Sequence, residues 1–252
     1  MKASKESIRL LVSAPSQYAI RLARTPEEVQ AAQSLRFQVF NLELNEGLTD
    51  SYNTGLDADP FDAVCDHLLV EHVPSGQIVG TYRLQTGPSA ARHLGYYCQQ
   101  EFDFSPYESI RHQIVELGRA CVHRQHRNLF VLGLLWKSIA EYAGARGGRY
   151  LIGCSSLTSQ EPCAGASAYT ELCRNHLAEP RWRTKPLVTH ECPLDAVTEE
   201  PTSIPKLLRA YLLLGAKICG APAIDRQFKT IDFLTLLDTE MLSPATRERF
   251  FS

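Results

Sequence analysis

The sequence has no long hydrophobic run. It nowhere approaches the roughly 20 consecutive apolar residues that a membrane-spanning helix needs. Residues 1–9 are polar and basic, without the apolar core of a secretory signal. We therefore expect a cytoplasmic protein whose 8 cysteines stay reduced. Internal repeats and low-complexity segments are also missing.

The sequence also has no excess of charge of either sign. It carries 26 Lys and Arg against 28 Asp and Glu, a formal net charge of −2. This balance argues against a general nucleic-acid binder, which would need a basic surface. Hydrophobic residues at 44% and charged residues at 21% are ordinary for a soluble globular protein. A chain of 252 residues fits one large domain or two small ones.

Metal-binding and reactive cysteines are not indicated. No Cys-x-x-Cys pair occurs. One imaginable set of zinc ligands is Cys173, His176, His190 and Cys192. The second pair in that set is too tightly spaced for the usual structural site, so we expect no bound metal. Cys121 and Cys154 lie in predicted strands without a recognisable activating histidine, which argues against a cysteine nucleophile.

Hydrophobic patterns predict alternating strands and helices, and therefore an α/β (α+β) fold with a mixed sheet in one domain. Predicted strands cover residues 18–22, 67–72, 78–84, 150–154, 215–220 and 231–237, with another beginning at 114. Predicted helices begin at 26, with Thr25 as N-cap and Glu28 completing a capping box, and cover 129–145, 161–177 and 204–214. We expect tails at 1–17 and 246–252 around a domain of residues 18–245.

The strand that begins at Ile114 carries charges on an otherwise apolar stretch. Glu116 and Arg119 are three residues apart, so in a straight strand they would point to opposite faces. They can share a site only if the strand bulges, and Gly118 is the expected place for the bulge. The helix that follows, together with the strand over 150–154, predicts a parallel pair joined by a right-handed crossover.

Charges also occur in the first half of the chain. Arg36 and Phe40 are four apart on the first helix and share a face; the plainest interpretation makes Phe40 core and Arg36 a surface charge. Residues 44–60 form a polar loop that leads to Asp59 and Asp62, for which we expect a solvated acidic turn. Arg83 ends the second strand of a hairpin.

A basic segment follows the central strand. Arg124, Arg127 and Asn128 come just before a predicted helix, whose exposed N–H groups favour an anion. From 124 to 149 there are five Lys or Arg against one acid. This segment suits either a phosphorylated ligand or acidic protein partner, or else a solvated helix face.

These residues together resemble the GNAT superfamily. The usual cofactor loop, Arg/Gln-x-x-Gly-x-Gly/Ala, corresponds to residues 127–132, which lack both glycines. The chain is more similar to the branch that takes acyl groups from acyl carrier protein. Its autoinducer synthases carry four motifs in the order found here, namely Arg36 with Phe40, Asp59 with Asp62, Arg83, and Glu116 with Arg119. Residues 61–70, 116–123, 135–137, 153–156, 211–220 and 232–238 most resemble ornithine-lipid N-acyltransferases.

The resemblance implies a single GNAT-like domain with a bulged, splayed central strand. It also implies transfer of a long-chain, 3-hydroxylated acyl group from acyl carrier protein to the α-amine of an amino acid, with ornithine the expected acceptor. Glu116 would be the base, and a bulge at Gly118 beside Arg119 would provide an oxyanion donor. No permanently bound cofactor is expected, since the 4′-phosphopantetheine thioester arrives as co-substrate.

The resemblance also assigns binding residues. Arg36, Phe40, Asp59, Asp62 and Arg83 would form the acceptor site. The carrier protein and its phosphopantetheine would meet Arg124, Arg127, Asn128 and Cys154. The lipid product implies peripheral contact with the inner face of the cell membrane, for which Lys2, Lys5 and Arg9 of the N-terminal tail are candidates.

Other functions remain open at this point. One is an N-acyl amino acid synthase with a different acceptor, and another is an acyl-homoserine-lactone synthase that uses S-adenosylmethionine. A conventional CoA-dependent acetyltransferase fits less well because the loop glycines are missing. A non-catalytic module that binds acyl carrier protein or membrane is the alternative of another class, although such a module has no need for Glu116 and Arg119.

Overall fold

A mixed sheet of eight strands forms the centre of the protein in a computed structural model, which describes residues 17–195 and 203–251. The strands are β1 (Tyr18–Leu22), β2 (Asp66–His72), β3 (Gln77–Thr86), β4 (Ile114–Val122), β5 (Tyr150–Leu157), β6 (Lys217–Ile218), β7 (Ala223–Asp225) and β8 (Thr230–Asp238). Their spatial order is β1-β2-β3-β4-β5-β8-β6, and β7 also pairs with β8. Only the β4–β5 pair is parallel among these pairings.

Seven α-helices flank the sheet within the described ranges. They are α1 (Pro26–Arg36), α2 (Ser51–Thr54), α3 (Gly87–Arg92), α4 (Leu129–Gly144), α5 (Pro162–His176), α6 (Lys206–Leu213) and α7 (Pro244–Phe251). The predicted α/β fold and the β4–α4–β5 crossover are thereby confirmed. The candidate lipid-binding residues Lys2, Lys5 and Arg9 lie outside the described residues.

Alternation along the strands divides the core between the two faces of the sheet. Val115 and Leu151 pack in one cluster with α4 residues that recur at four-residue spacing, Val131, Leu135 and Ile139. Their strand neighbours Ile114 and Ile152 belong to a second cluster, built with the aromatic segment 96–107. Both faces of the central strands are therefore covered. No helix in the described part of the chain is long and apolar enough to cross a membrane.

Helix α1 departs from the predicted capping pattern. Thr25 is the N-cap and accepts from the backbone N–H of Glu28, as expected. The Glu28 carboxylate closes instead on the backbone N–H of Arg24, 2.6 Å away. After Arg36 the helix widens into a π-helix over Phe37–Glu43, a feature that often marks functional sites.

Strand β4 is bulged, as predicted, but one residue later than predicted. Thr81 pairs with Cys121 and Arg83 pairs with Gly118, so Arg119 and Ala120 together oppose one residue of β3. Arg119 adopts a positive φ of 50°. Gly118 stays in the ladder because the ion pairs of Arg119, described below, hold the left-handed conformation on the arginine.

Strands β4 and β5 separate, which confirms the expected splay. They pair at only three positions, the last being Glu116 with Ile152. Beyond that point β4 follows β3, and β5 follows β8 as far as Leu157. Gly153 lies where they part: a Cβ there would come within 2.2 Å of the Leu117 carbonyl oxygen.

The C-terminal part of the chain is less regular than predicted. The strand expected over 215–220 is only Lys217–Ile218, and the expected loop over 221–229 contains β7. Gly215 and Gly220 have positive φ values of 102° and 154°, which end the strand on each side. Residue 245, the predicted end of the domain, lies inside α7. Phe250 of this helix packs against the α4 cluster.

Candidate active site

The gap between β4 and β5 opens into a cavity of about 820 Å³. Residues 116–122 of β4 form one side and residues 151–156 of β5 form the other. Helices α4 and α6 supply an apolar wall of Leu129, Leu132, Leu135, Trp136, Leu207 and Tyr211. The separated strands therefore expose backbone groups to a space that is mostly hydrophobic on one wall.

Arg36 is buried beside this cavity, with none of its side chain exposed. It donates to both carboxylate oxygens of Asp62 at 2.9 and 2.6 Å, and its Nε lies 2.8 Å from Asp57 Oδ1. The expectation of a surface charge is therefore wrong. A guanidinium can be buried here because several carboxylate oxygens meet it.

Asp62 is also buried and the side chain of Asp59 is only 9% exposed, so the expectation of a solvated acidic turn is wrong as well. They lie at the two ends of a capping box on the 3₁₀ turn Pro60–Ala63. Arg83 reaches back from β3 and donates to Asp59 at 2.6 Å and to Asp62 at 3.0 Å. The turn and the strand are thereby locked together.

Arg119 completes the network. It donates to Asp59 at 3.0 Å, and its Nε lies 3.3 Å from Asp57 Oδ1. The guanidinium carbon is 4.7 Å from the ring centre of Tyr97 and 4.4 Å from that of Phe228. Cation–π contact and two carboxylates thus fix Arg119. Asp57, Tyr97 and Phe228 were missed from the sequence; only Asp57 had a signal, its place in the acidic run 57–62.

The network keeps Asp59 and Asp62 ionised. Burial raises the pKa of Asp59, but the charges of Arg83 and Arg119 outweigh burial and the pKa is lowered overall. Asp62 behaves in the same way, with Arg36 as the main opposing group, and its pKa falls well below the usual range. Three guanidinium groups face three carboxylates, so the network is close to neutral. Phe40 packs beside it against Phe228, with ring centres 5.2 Å apart.

Glu116 is buried on the cavity wall at the last paired position of β4. Its two oxygens accept from the backbone N–H groups of Tyr97, at 2.9 Å, and Cys98, at 2.8 Å. Burial raises its pKa more than these hydrogen bonds and the charge of Arg83 lower it, so the pKa is raised overall. Among the residues described, no ion pair joins Glu116 to Arg119, although the bulge brings both to the cavity.

The basic loop is arranged differently from the prediction. Arg127 donates to Glu43 at 2.5 and 2.8 Å and to the Val122 carbonyl at 2.8 Å. Asn128 caps α4, accepting from the N–H groups of Phe130 and Val131 at 3.0 Å. Two of the helix's first donors are therefore already occupied, and Arg124 remains exposed.

The thiols near the cavity are not activated. Burial raises the pKa of Cys121 to about 12. A hydrogen bond to Cys98 and burial together raise the pKa of Cys154 well above its usual value. Cys154 Sγ lies 3.4 Å from Cys98 Sγ and 3.8 Å from a carboxylate oxygen of Glu101. All eight cysteines are free thiols.

A second group of acids lies at the β5–β8 side of the cavity and was not predicted. It consists of Glu46, Glu101, Asp225 and Asp232, all buried. Asp232 carries the only hint in the sequence, an acid between Ile231 and Phe233 in an apolar strand. No salt bridge reaches these four carboxylates from any residue within 17–195 or 203–251.

Comparison with known proteins places this geometry in context. Residues 35–137 match the acetyltransferase (GNAT) domain family. The chain is 33% identical over 251 residues to the L-ornithine N(alpha)-acyltransferase of Rhodobacter capsulatus, covering 94% of this chain and 96% of that protein. It is 35% identical over 239 residues to the enzyme of the same name from Agrobacterium fabrum, covering 88% and 81%.

Solved structures share the fold at low sequence identity. FeeM, an N-acyl amino acid synthase from uncultured soil microbes, superposes with a TM-score of 0.55 at 12% identity and covers 89% of this chain and 91% of its own. The AHL synthase LasI superposes with a TM-score of 0.51 at 11% identity and covers 94% and 96%. These likenesses establish the fold, and the curated relatives establish the kind of reaction.

Proposed function

Because this chain belongs to the family of L-ornithine N(alpha)-acyltransferases and is an acyltransferase, we propose that it acylates the α-amine of ornithine. The proposed donor is a long-chain, 3-hydroxylated acyl group on acyl carrier protein. The observation that supports this most directly is the separation of β4 and β5 beyond Glu116, which opens the cavity with its long apolar wall.

The reaction forms one amide bond and breaks one thioester bond. The ornithine α-ammonium first loses a proton, and the free amine attacks the thioester carbonyl to give a tetrahedral oxyanion. The attacking nitrogen, now positively charged, then loses a second proton. Collapse of this intermediate expels the pantetheine thiolate, which takes up a proton. The products are an N-acyl ornithine, the thiol and one net proton.

Glu116 is the proposed base, acting through a water molecule. Each of its oxygens keeps a second lone pair beyond the backbone bond it accepts, and those bonds fix its position. Its raised pKa brings it closer to the working pH of a general base.

The oxyanion would be met by a backbone N–H of β4 at Gly118 or the adjoining bulge, where the strand has no partner on the β5 side. The thioester's pantetheine would lie between β4 and β5, past Cys154. This path brings the carbonyl next to the bulge held by Arg119.

Arg36, Asp59, Asp62 and Arg83 are proposed to shape the acceptor site by fixing its walls. Their charges are already paired with one another, so they act as a rigid frame. Phe40 contributes an apolar surface to the same cavity.

The carrier protein is proposed to dock at the basic loop. Asn128 occupies helix donors that a pyrophosphate would otherwise use, and the loop glycines are missing, which supports a carrier-protein donor over CoA. Arg124 and Arg127 of the loop are both exposed, but Arg127 is ion-paired with Glu43. Contact with acidic carrier protein would then depend on Arg124 more than on Arg127.

We also propose that the enzyme works in the cytoplasm, at the inner face of the membrane. Its product is a lipid, and Leu129 and Phe130, 82% and 54% exposed, lie at the start of α4 beside the apolar wall. A membrane surface there would receive the acyl chain as it leaves the cavity.

The test is product formation by purified protein. A long-chain 3-hydroxyacyl carrier protein or the matching acyl-CoA is supplied with ornithine, and products are identified by mass spectrometry. We expect an amide at the α-nitrogen, faster from the carrier-protein donor and lost in Glu116→Ala. Arg124→Glu should raise KM for the carrier protein about tenfold at low salt, while Arg174→Glu, an exposed reversal on α5, should not.

Each failure points elsewhere. A lactone formed from S-adenosylmethionine would indicate an autoinducer synthase. Acylation of a different amino acid would change only the acceptor. Equal rates from both donors would remove the carrier-protein assignment, and no product with any acceptor would favour a binding module.

A further inference from the structure

A diamino acid brings a second positive charge that the proposed acceptor site must meet. The arginine network offers no carboxylate for this charge, because Asp57, Asp59 and Asp62 are each ion-paired with arginines. A cation placed there would meet three guanidinium groups. The acids that remain for an ammonium group lie elsewhere in the cavity.

The group of Glu46, Glu101, Asp225 and Asp232 has the opposite balance of charge. Glu46 and Asp232 line the cavity, and Glu101 lies beside Asp232 and Cys154. Asp225 is on β7, which pairs with β8, the strand of Asp232. Several of the hydrogen bonds that these acids accept come from neutral donors. Thr158 donates to Glu46, and Asp225 accepts from the backbone of Gln227 and Phe228 at 2.8 Å. The charge of Arg119 acts on Glu101, but no salt bridge from the described residues reaches any of the four acids.

Two carboxylate oxygens in this group accept no hydrogen bond from any residue that the structure describes. They are Glu101 Oε1 and Asp232 Oδ1, on side chains that are 2% and 4% exposed. Burying such acceptors without a partner costs about 1–3 kcal/mol each, and more when they are charged. Native proteins seldom leave such atoms empty unless a ligand meets them.

The spacing of these acids fits one ammonium group. Oxygens of Glu101 and Asp232 and the sulfur of Cys154 lie within 4.8 Å of one another. Charge-assisted N–H···O bonds are about 2.7–2.9 Å long, so one nitrogen can bridge two oxygens at this separation. A protonated amine carries three donors, which matches two carboxylates and a further acceptor.

The position of these acids also suits the side chain of the acceptor. Asp232 pairs with Ser156 on β5, and Cys154 is two residues beyond Ile152, the last partner of Glu116. At about 3.3 Å per strand residue, Cys154 lies about 7 Å along β5 from that point. Asp232 and Cys154 both line the cavity. A three-methylene side chain is of the right order to span this distance.

We propose that Glu101 and Asp232 bind the side-chain ammonium of the acceptor and make the enzyme selective for a diamino acid. The inference rests on the proposed function and specifies how its acceptor is chosen. Asp225 and Glu46 contribute negative potential from the edges of the site, and Tyr97, which donates to Asp225 at 3.4 Å, separates it from Arg119. The α-amine is thereby directed toward Glu116, and the δ-amine toward the β5–β8 side of the cavity.

The test compares ornithine with norvaline, which has the same carbon chain but no side-chain amine. For the wild type we expect kcat/KM to favour ornithine by 10³-fold or more, because neutral norvaline leaves the acids unpaired. In Glu101→Gln and Asp232→Asn this ratio should fall by about 10²-fold. The loss should appear mainly as a higher KM for ornithine.

Two controls separate selectivity from damage. Glu179→Gln, an exposed acid paired with Arg181, should keep the wild-type ratio. Norvaline acylation in the two cavity variants reports that the fold and the acylation machinery are intact. Calorimetric binding of ornithine and norvaline without donor measures the same preference independently of catalysis.

The outcomes are distinct. An unchanged ornithine-to-norvaline ratio in both cavity variants overturns the ammonium site. An equal loss of kcat for both amino acids also overturns it, because that result would assign Glu101 and Asp232 to proton transfer. Inhibition of the wild type by chelators, with Zn²⁺ or Mg²⁺ restoring activity, would make the site metallic and overturn the proposal. If the wild type acylates neither amino acid, the proposed function fails, while the binding measurement still tests the ammonium site.

Discussion

At the scale of single residues, burial of charge in this protein depends on the number of partners. Arg36 has no exposed surface, and its guanidinium can be buried because two carboxylates and a backbone carbonyl contact it. Asp62 in turn accepts from Arg36, Arg83 and Gln33. Because each member satisfies more than one neighbour, removal of one leaves several buried groups unpaired.

Replacing Asp62 with Asn should therefore be strongly destabilising. The amide keeps one acceptor oxygen but turns an NH₂ group toward donors, and three arginines then share two carboxylates. We expect the free energy of unfolding to fall by about 3–5 kcal/mol, measured by urea denaturation. Glu108→Gln, which removes an exposed pair with Arg111, should cost less than about 0.5 kcal/mol. Similar costs for the two variants would contradict a cooperative buried network.

At the scale of elements, the working geometry arises where regular structure is interrupted. The bulge at Arg119 and Ala120 bends β4 away from β5, and the π-helix after α1 turns Phe40 toward the cavity. Arg119 holds a positive φ, which costs a non-glycine residue about 1–2 kcal/mol. Its two carboxylate partners and two aromatic rings offset that cost.

The point where β4 and β5 separate allows a prediction for two glycines, one on each strand. In Gly153→Ala the new Cβ would meet the Leu117 carbonyl oxygen at 2.2 Å, so β4 or β5 must move. We expect a loss of about 1–3 kcal/mol in unfolding free energy. In Gly118→Ala the Cβ meets nothing within 4 Å, and unfolding should change by less than about 1 kcal/mol. Thermal denaturation of both variants side by side checks this, and equal losses would be against it.

At the scale of the whole molecule, two groups of acids respond to pH in opposite directions. The pKa values of Asp59 and Asp62 are lowered by arginines that outweigh burial, so their contribution to stability exists above about pH 4 and is lost as the pH falls below it. Burial and the charge of Asp225 raise the pKa of Asp232 to about 6. Its contribution is present below about pH 4 and is lost as the pH rises through 6.

Most titratable groups around Asp232 also have raised pKa values. Burial raises the pKa of Glu101 and of Glu46, and the charge of Asp232 adds to both shifts. Arg119 opposes the shift at Glu101. His67, beside Asp62, has a pKa lowered mainly by burial, so its effect on stability runs the other way, falling with pH below about 6.5.

A comparison of variants isolates the cavity acids from these background effects. Asp232→Asn removes a carboxylate that is costly to ionise, so it should stabilise the protein at pH 7.5 relative to pH 5, when each is compared with wild type. We expect a difference of about 1–3 kcal/mol between the two pH values, measured by urea denaturation. A mutational effect that is the same at both pH values would show that Asp232 does not titrate in this range.

The local elements and the order of the motifs could be predicted from the sequence alone. Hydrophobic periodicity located the β2–β3 hairpin, the β4–α4–β5 crossover and most helix boundaries, because period and capping are set by neighbours along the chain. It also placed Glu116 and Arg119 together on a bulged strand. The spacing of Arg36, Asp59, Asp62 and Arg83 was enough to identify a resemblance to a family.

Which charges are buried and which are paired depends instead on how the chain folds in space. Arg36 and Asp62 seemed to be surface groups because local pattern says nothing about partners brought from other strands. Asp57 belongs to the same network through its ion pairs with Arg36 and Arg119. Glu101 and Asp232 are more than a hundred residues apart in the chain and meet because β5 pairs with β8. The energy of a charge depends on its surroundings in space, and those are fixed by long-range contacts that the sequence pattern does not show.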